Sequence, residues 1–125
     1  MQIVFSPVSR YFLHANFVDM RKGFDGLSGI VRNDFNLSPI SGDVFIFLNK
    51  RRDLIKILHW QGDGFAIYYK RLEKGTFEMP LKKENISAGA VSISHQQLTL
   101  ILAGIQLSSI KKRIRFERKI VDILQ

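Results

Sequence analysis

The sequence predicts an α+β fold: an antiparallel β-meander of about four to six strands, open or closed into a partial barrel, packed by two helices and followed by a basic C-terminal arm. Three observations carry this expectation. Apolar residues recur at helical steps of three and four from Met20 to Phe35. Three apolar runs follow, separated by short polar links. A capping signature at Ser94 then opens a second apolar helix.

In chain order, residues 2–14 read as extended, with Ile3-Val4-Phe5 and Tyr11-Phe12-Leu13 on either side of Pro7. Asp19 suits an N-cap, since its carboxylate can accept from the unpaired amides of a first helical turn. Met20, Phe24, Leu27, Val31 and Phe35 form the apolar stripe of the helix it would open. Asn36 to Gly42, with Pro39, ends that helix in a loop. The three runs Val44–Leu48, Leu54–Trp60 and Phe65–Leu72 are joined by "NKRRD" and "QGDG", both of hairpin length and rich in turn formers. A further short strand is expected near Thr76–Met79, then a loop over 80–89 and a short strand through Val91–Ile93. Ser94 and Gln97 form a capping box, Leu98, Ile101, Leu102 and Ile105 line the helix behind it, and Gly104 suits its C-terminal end.

With "QGDG" as the turn, Trp60 faces Phe65, Leu58 faces Ile67, Lys56 faces Tyr69 and Leu54 faces Arg71. Phe45, Phe47, Ile55, Ile57, Ala66 and Tyr68 are then expected on the opposite side. Both faces of the meander are mostly apolar, so each needs a cover: one helix apiece, closure into a partial barrel, or a protein partner, with helices packed on the sheet the favoured solution.

The chain of 125 residues reads as one α+β domain over 1–107 with a basic C-terminal helix or arm over 108–125, and it shows no internal repeat. It lacks cysteine, so thiolate metal sites and disulfides are excluded and a reducing cytoplasm fits. No signal-peptide layout opens the chain. The most apolar run, Leu98 to Ile105, is too short to cross a bilayer. A net charge of +8 makes a polyanion, most commonly nucleic acid, the natural partner.

The cations are clustered. The hairpin pairing brings Lys50, Arg51 and Arg52 to the sheet end where Lys70, Arg71 and Lys74 emerge, against Asp53 and Glu73. Such a footprint suits phosphate contacts. Arg21 and Lys22 extend it, and Lys111, Lys112, Arg113 and Arg115 add a second basic feature in the tail "SSIKKRIRFERKIVDILQ". Beside them stands "DMRKGFDGLSGI", whose Gly23, Gly26 and Gly29 cost a helix stability but lay a smooth strip along it. Close packing of that strip on the sheet is the expected use; close approach to DNA is the competing one. The spacing matches neither a dinucleotide site nor a Walker loop, and no cofactor is expected.

Together, "DMRKGFDGL" (19–27), "SGDVFIFLNKRRDLIKILHWQGDGFAIYYKRLEKGTFEMP" (41–80) and "SISHQQLTLILAGI" (92–105) resemble the second-open-reading-frame (TnpB-type) protein of the insertion-sequence-66 group of bacterial transposable elements. The resemblance spans roughly residues 8–107, with several separated motifs in order, and says little beyond Leu107. It implies a small accessory protein encoded beside a larger transposase, with no catalytic residue to carry over. The matching positions are Asp19, Arg21, Lys22, Gly23, Asp25 and Gly26, then Asp53 at the hairpin tip and the run Lys70-Arg71-Leu72-Glu73.

Catalysis finds little support in the residues. Strand transfer needs a carboxylate cluster holding two metals, whereas the aspartates sit mostly at caps and turns. Asp19 with Asp25 is the one pair worth naming. His14, His59 and His95 lack zinc-site spacing. Trp60, Tyr68 and Tyr69 raise the possibility of stacking on single-stranded bases, although Trp60 opposite Phe65 suits the core. The expected function is non-catalytic assistance to transposition by binding DNA at the hairpin-tip patch, alongside a separate transposase. The alternative is a protein–protein adaptor that docks the transposase without touching DNA.

Overall fold

The computed structural model of the chain describes residues 5–80, 86–87 and 89–104. Its elements are β1 (Tyr11–His14), α1 (Phe24–Asn33), β2 (Val44–Leu48), β3 (Leu54–Trp60), β4 (Phe65–Arg71), β5 (Ile86–Ser87), β6 (Ala90–Ile93) and α2 (His95–Leu102). They form one open sheet in the order β4-β3-β2-β1-β6-β5, with the two-residue β5 at one edge and β4 at the other. The fold is α+β, and the sheet is not closed into a barrel.

The meander β2-β3-β4 is antiparallel as expected, but the sheet is mixed, because β1 runs parallel to β2. The cause is α1: a helix between two neighbouring strands returns the chain to the end from which it started, which a hairpin cannot do. Strand β6 pairs antiparallel to the other side of β1, and Ala15 N donates to Gly89 O at 2.7 Å to extend that contact. No strand forms over Thr76–Met79. That segment instead turns back to the hairpin tip, where Phe77 N donates to Arg52 O at 2.6 Å and the Phe77 ring is buried.

One helix covers each face. Leu27, Val31 and Phe35 of the α1 segment pack with Phe45, Phe47 and Leu58. Leu98 and Ile101 of α2 pack with Tyr11, Leu13, Val44, Ile46, Leu48, Ile55, Ile57, Val91 and Ile93 on the other face. Strand β2, with all five residues buried, lies between the two layers. The Ser94–Gln97 capping box is formed in both directions, at 3.0 and 2.8 Å. Beyond the last turn of α2, Gly104 takes the left-handed conformation (φ 77) and donates to Ile101 O.

The expected face assignment of β2 is overturned. Strands β3 and β4 pair in the predicted register, from Trp60 with Phe65 to Leu54 with Arg71. In the β2–β3 hairpin, however, Leu48 lies opposite Ile55 and Phe47 opposite Lys56. Phe45 and Phe47 therefore share a face with Leu58, and Ile55 and Ile57 share the other with Ile46. Six residues, not five, separate the paired strands. Arg52 adopts a left-handed conformation (φ 57) within this link. A slip of one residue sends every side chain to the other face.

The first helix is also shorter than its apolar stripe. It starts at Phe24 with Gly23 at the N-cap and no side-chain cap, and Phe24 is half exposed. Asp19 does not cap it. Its carboxylate closes a tight turn instead, accepting from Arg21 N at 2.9 Å and from the Arg21 guanidinium. The turn is held from below by Lys56, whose buried ammonium donates to Met20 O at 2.7 Å and Lys22 O at 2.9 Å. Those are two of the carbonyls that a helix beginning at Met20 would use for its own amides. The first helical bond is therefore Leu27 N to Gly23 O.

A candidate basic interface at the hairpin-tip end of the sheet

The end of the sheet where β2 turns into β3 and where β4 finishes is built by a small set of bonds. Asn49 organises the tip: its Nδ2 donates to Asp53 Oδ1 at 2.7 Å, its Oδ1 accepts from Leu54 N, and its carbonyl accepts from Arg52 N. Leu72 N donates to Asp53 O at 2.8 Å, tying the end of β4 to the same turn. These bonds fix the tip through backbone groups and the Asn49 and Asp53 side chains, and none of them uses the side chain of Lys50, Arg51 or Arg52. Lys50, Arg51 and Arg52 project from it exposed.

The register of β3 and β4 sets Lys70 opposite Ile55 and Arg71 opposite Leu54, so both emerge beside the tip, on opposite faces of the sheet. Lys74 follows in the exposed turn after β4. The segment before α1 reaches the same end: Val18 N donates to Leu48 O at 2.9 Å. Between this segment and the tip runs an open groove lined by Phe17, Val18, Asp19, Met20, Asn49, Lys50, Arg51 and Leu54. Phe17 stands half exposed there, at 52%. Arg21 and Lys22 lie directly after the groove-lining residues.

The carboxylates of this end are each engaged locally. Asn49 lowers the Asp53 pKa by hydrogen bonding, with Arg51 and Arg71 adding a smaller electrostatic effect. Arg71 donates to Glu73 at 2.9 Å. Hydrogen bonds from Arg21 bring the Asp19 pKa down to about 2. Asp19, Asp53 and Glu73 stand outside ion-pair distance of Lys50, Arg51, Arg52, Lys70, Lys74 and Lys22. The result is a surface on which free cations outnumber free anions.

Of the twelve sequence-derived site residues, eight come together or lie close to this end, and Lys111, Lys112, Arg113 and Arg115 lie outside the described residues. The expected packing of the glycine strip on the sheet does not occur. A Cβ at Gly29 or Gly23 would meet nothing within 4 Å, and one at Gly26 would meet the Lys22 side chain at 3.1 Å. Asp19 is committed to Arg21, while Asp25 sits exposed in the first turn of α1. His59 is a half-buried residue of β3, opposite Ala66. Trp60 packs edge-on against Phe65 at 5.0 Å, whereas Tyr69 is half exposed above the Lys56 ammonium at 4.6 Å.

Two features escaped the sequence reading. Lys56, in the middle of an apolar strand, anchors the turn before α1; the signal was a lysine at a position whose neighbours are all core. His14 is buried, with Nε2 at 2.8 Å from Asp34 Oδ2 and its ring stacked on Phe35 at 5.4 Å, so it links β1 to the end of α1. No local pattern announces that contact.

The family described as IS66 Orf2-like protein matches residues 9–112. Two curated proteins of Sinorhizobium fredii (strain NBRC 101917 / NGR234), the uncharacterized proteins y4jC and y4hO, are each 33% identical to the chain over 96 residues. Those matches cover 77% of this chain, and 79% and 80% of the two relatives. No solved structure matches. No helix among the described residues is long and apolar enough to cross a membrane. The chain belongs to the IS66 Orf2-like family, and that membership points to an accessory role in insertion-sequence transposition.

Proposed function

We propose that the chain assists transposition by binding DNA, without catalysing the chemistry, through the sheet end that carries Lys50, Arg51, Arg52, Lys70, Arg71 and Lys74, with Arg21 and Lys22 beside it. A separate transposase of the same element supplies strand transfer. The observation that carries this reading is the imbalance at that end: Asp19, Asp53 and Glu73 are held by Arg21, Asn49 and Arg71, while none of these three carboxylates forms an ion pair with Lys22, Lys50, Arg51, Arg52, Lys70 or Lys74. Exposed cations outside any ion pair, on a turn braced by other bonds, are available to phosphates, and contacts of this kind carry affinity without base specificity.

The test is a salt series. Replacing Lys50, Arg51 and Arg52 together by alanine should flatten the slope of log affinity against log salt by about 2 to 3 for duplex DNA, from roughly 0.9 per phosphate contact. Fluorescence anisotropy reads both proteins, and equal slopes would remove this turn from the interface. A second reading, an adaptor docking the transposase without touching DNA, draws on the half-exposed Phe17 in the groove beside the cations. It requires capture of transposase after nuclease treatment, lost in the triple variant, with little DNA affinity in either protein.

A further inference from the structure

Among the described residues, strand β4 has one neighbour. It is the edge of the sheet, seven residues long, free of proline, and none of its residues is buried. Among the described residues nothing pairs with its outer side. Which backbone groups face outward follows from the hairpin. Gln61 N donates to Gly64 O, and Leu72 N to Asp53 O, so the hydrogen-bonded pairs alternate through Ala66, Tyr68 and Lys70. The N–H and C=O of Phe65, Ile67, Tyr69 and Arg71 therefore point away from β3, to a side where no described residue pairs with them. An unprotected strand edge of this kind is a template for another strand.

We propose that β4 pairs antiparallel with β4 of a second copy of this chain, about a two-fold axis through Tyr68. Only this register sets outward residue against outward residue along the whole strand: Phe65 faces Arg71 of the second copy, Ile67 faces Tyr69, and every open N–H and C=O finds a partner. The side chains agree with it. Lys70 falls opposite Ala66, and Arg71 opposite the ring of Phe65, so no cation meets its own copy. Parallel in-register pairing would instead stack Lys70 on Lys70 and Arg71 on Arg71, which is destabilising. On the α1 side, Phe65 and Ile67 are only partly covered by the core, leaving apolar surface to bury against the Ile67–Tyr69 cross-strand pairs. A C2 contact of this type is self-complementary and closed, giving a dimer with one continuous sheet and no exposed β4 edge.

Sedimentation velocity on the full chain at micromolar concentration should give the dimer mass; a monomer overturns the proposal. Ile67→Pro removes an outward N–H while sparing every bond between β3 and β4, as edge strands tolerate. It should halve the sedimenting mass while the circular dichroism spectrum stays that of the folded chain. Should Ile67→Pro fail to fold, single cysteines settle the register in a chain that otherwise has none. Tyr68→Cys places two thiols about 4.5 Å apart by Cα, within disulfide reach. Tyr69→Cys places them two residues out of step. Oxidation should cross-link the first and not the second. A dimer that persists in Ile67→Pro, or cross-linking of Tyr69→Cys in preference to Tyr68→Cys, overturns the assignment of this edge and register.

Discussion

Replacing Lys56 with methionine should destabilise the protein by about 2 kcal/mol, a figure that follows from what the ammonium touches. It donates to Met20 O at 2.7 Å and Lys22 O at 2.9 Å and stands 4.6 Å from the centre of the Tyr69 ring. Two hydrogen bonds from a charged donor are worth roughly 1.5–3 kcal/mol each, and a cation over a half-exposed ring adds about 0.5–1 kcal/mol. Against this, methionine keeps most of the stem's packing and relieves the desolvation of a buried ammonium, a cost of several kcal/mol. The Lys22 carbonyl, in an exposed residue, can also recover water. Netting these leaves about 2 kcal/mol, or roughly 8 °C in Tm for a chain of this size. The loss should be local as well as global, because the bonds hold the turn that launches α1. Amide exchange at Leu27, whose partner is Gly23 O, should accelerate more than exchange in β2. A thermal melt and a hydrogen-exchange series decide it. An unchanged or raised Tm would refute the reasoning, by showing that desolvation cancels the two bonds and that packing alone positions the turn.

The remaining expectations are shorter. Gly29→Ala should raise stability by about 0.5–1 kcal/mol in a chemical melt, since a Cβ there meets nothing within 4 Å and the helix gains propensity; a loss would mean the strip is in fact packed. Ser94→Ala should cost about 1 kcal/mol by removing half of the capping box. The Asp19 carboxyl should titrate near pH 2, as its arginine partner imposes, and return to the ordinary aspartate range in Arg21→Gln. Because its folded pKa lies below the unfolded one, its stabilising contribution is present above about pH 4 and is lost as pH falls towards 2. Carbon-detected NMR of the side-chain carboxyl reads this directly, and a midpoint near 4 in the parent protein would show that the Arg21 bonds are not kept in solution.

What could be read in advance was whatever rests on local pattern. The capping box at Ser94, the β3–β4 register through "QGDG" and the need for one helix per face all follow from neighbours close in sequence, and all are present. The failures have a common cause, which is that tertiary contacts outbid local propensity. Asp19 has the chemistry of an N-cap, yet Lys56, some 36 residues away in sequence, holds the Met20 carbonyl and moves the helix start to Phe24. The parallel pairing of β1 with β2 follows from the α1 crossover between them, which no local pattern in either strand announces.

The β2–β3 link carries the same lesson into the candidate interface. Its apparent five residues, Asn49 to Asp53, invite a hairpin closed by Leu48 and Leu54, which would have put Phe47 on the α2 face. Instead Asn49 spends its side chain on Asp53 and on the Leu54 amide, Arg52 takes a left-handed conformation, and Leu48 pairs with Ile55. That one-residue shift has two effects from a single cause. It turns Phe45 and Phe47 towards α1, where they meet Phe35 at 5.7 and 6.0 Å between ring centres. It also makes the tip a braced turn whose carbonyl at Arg52 is taken by Phe77 N, so the three cations are held out from a fixed backbone. Arg52→Gly tests that link between register and display. Glycine relieves the left-handed backbone and should stabilise the fold by about 0.5–1 kcal/mol while removing one cation. If the proposed interface is right, DNA affinity falls by one phosphate contact, a slope change of about 0.9, although the protein has become more stable. A variant that gains stability and keeps the full slope would show that Arg52 serves the turn alone.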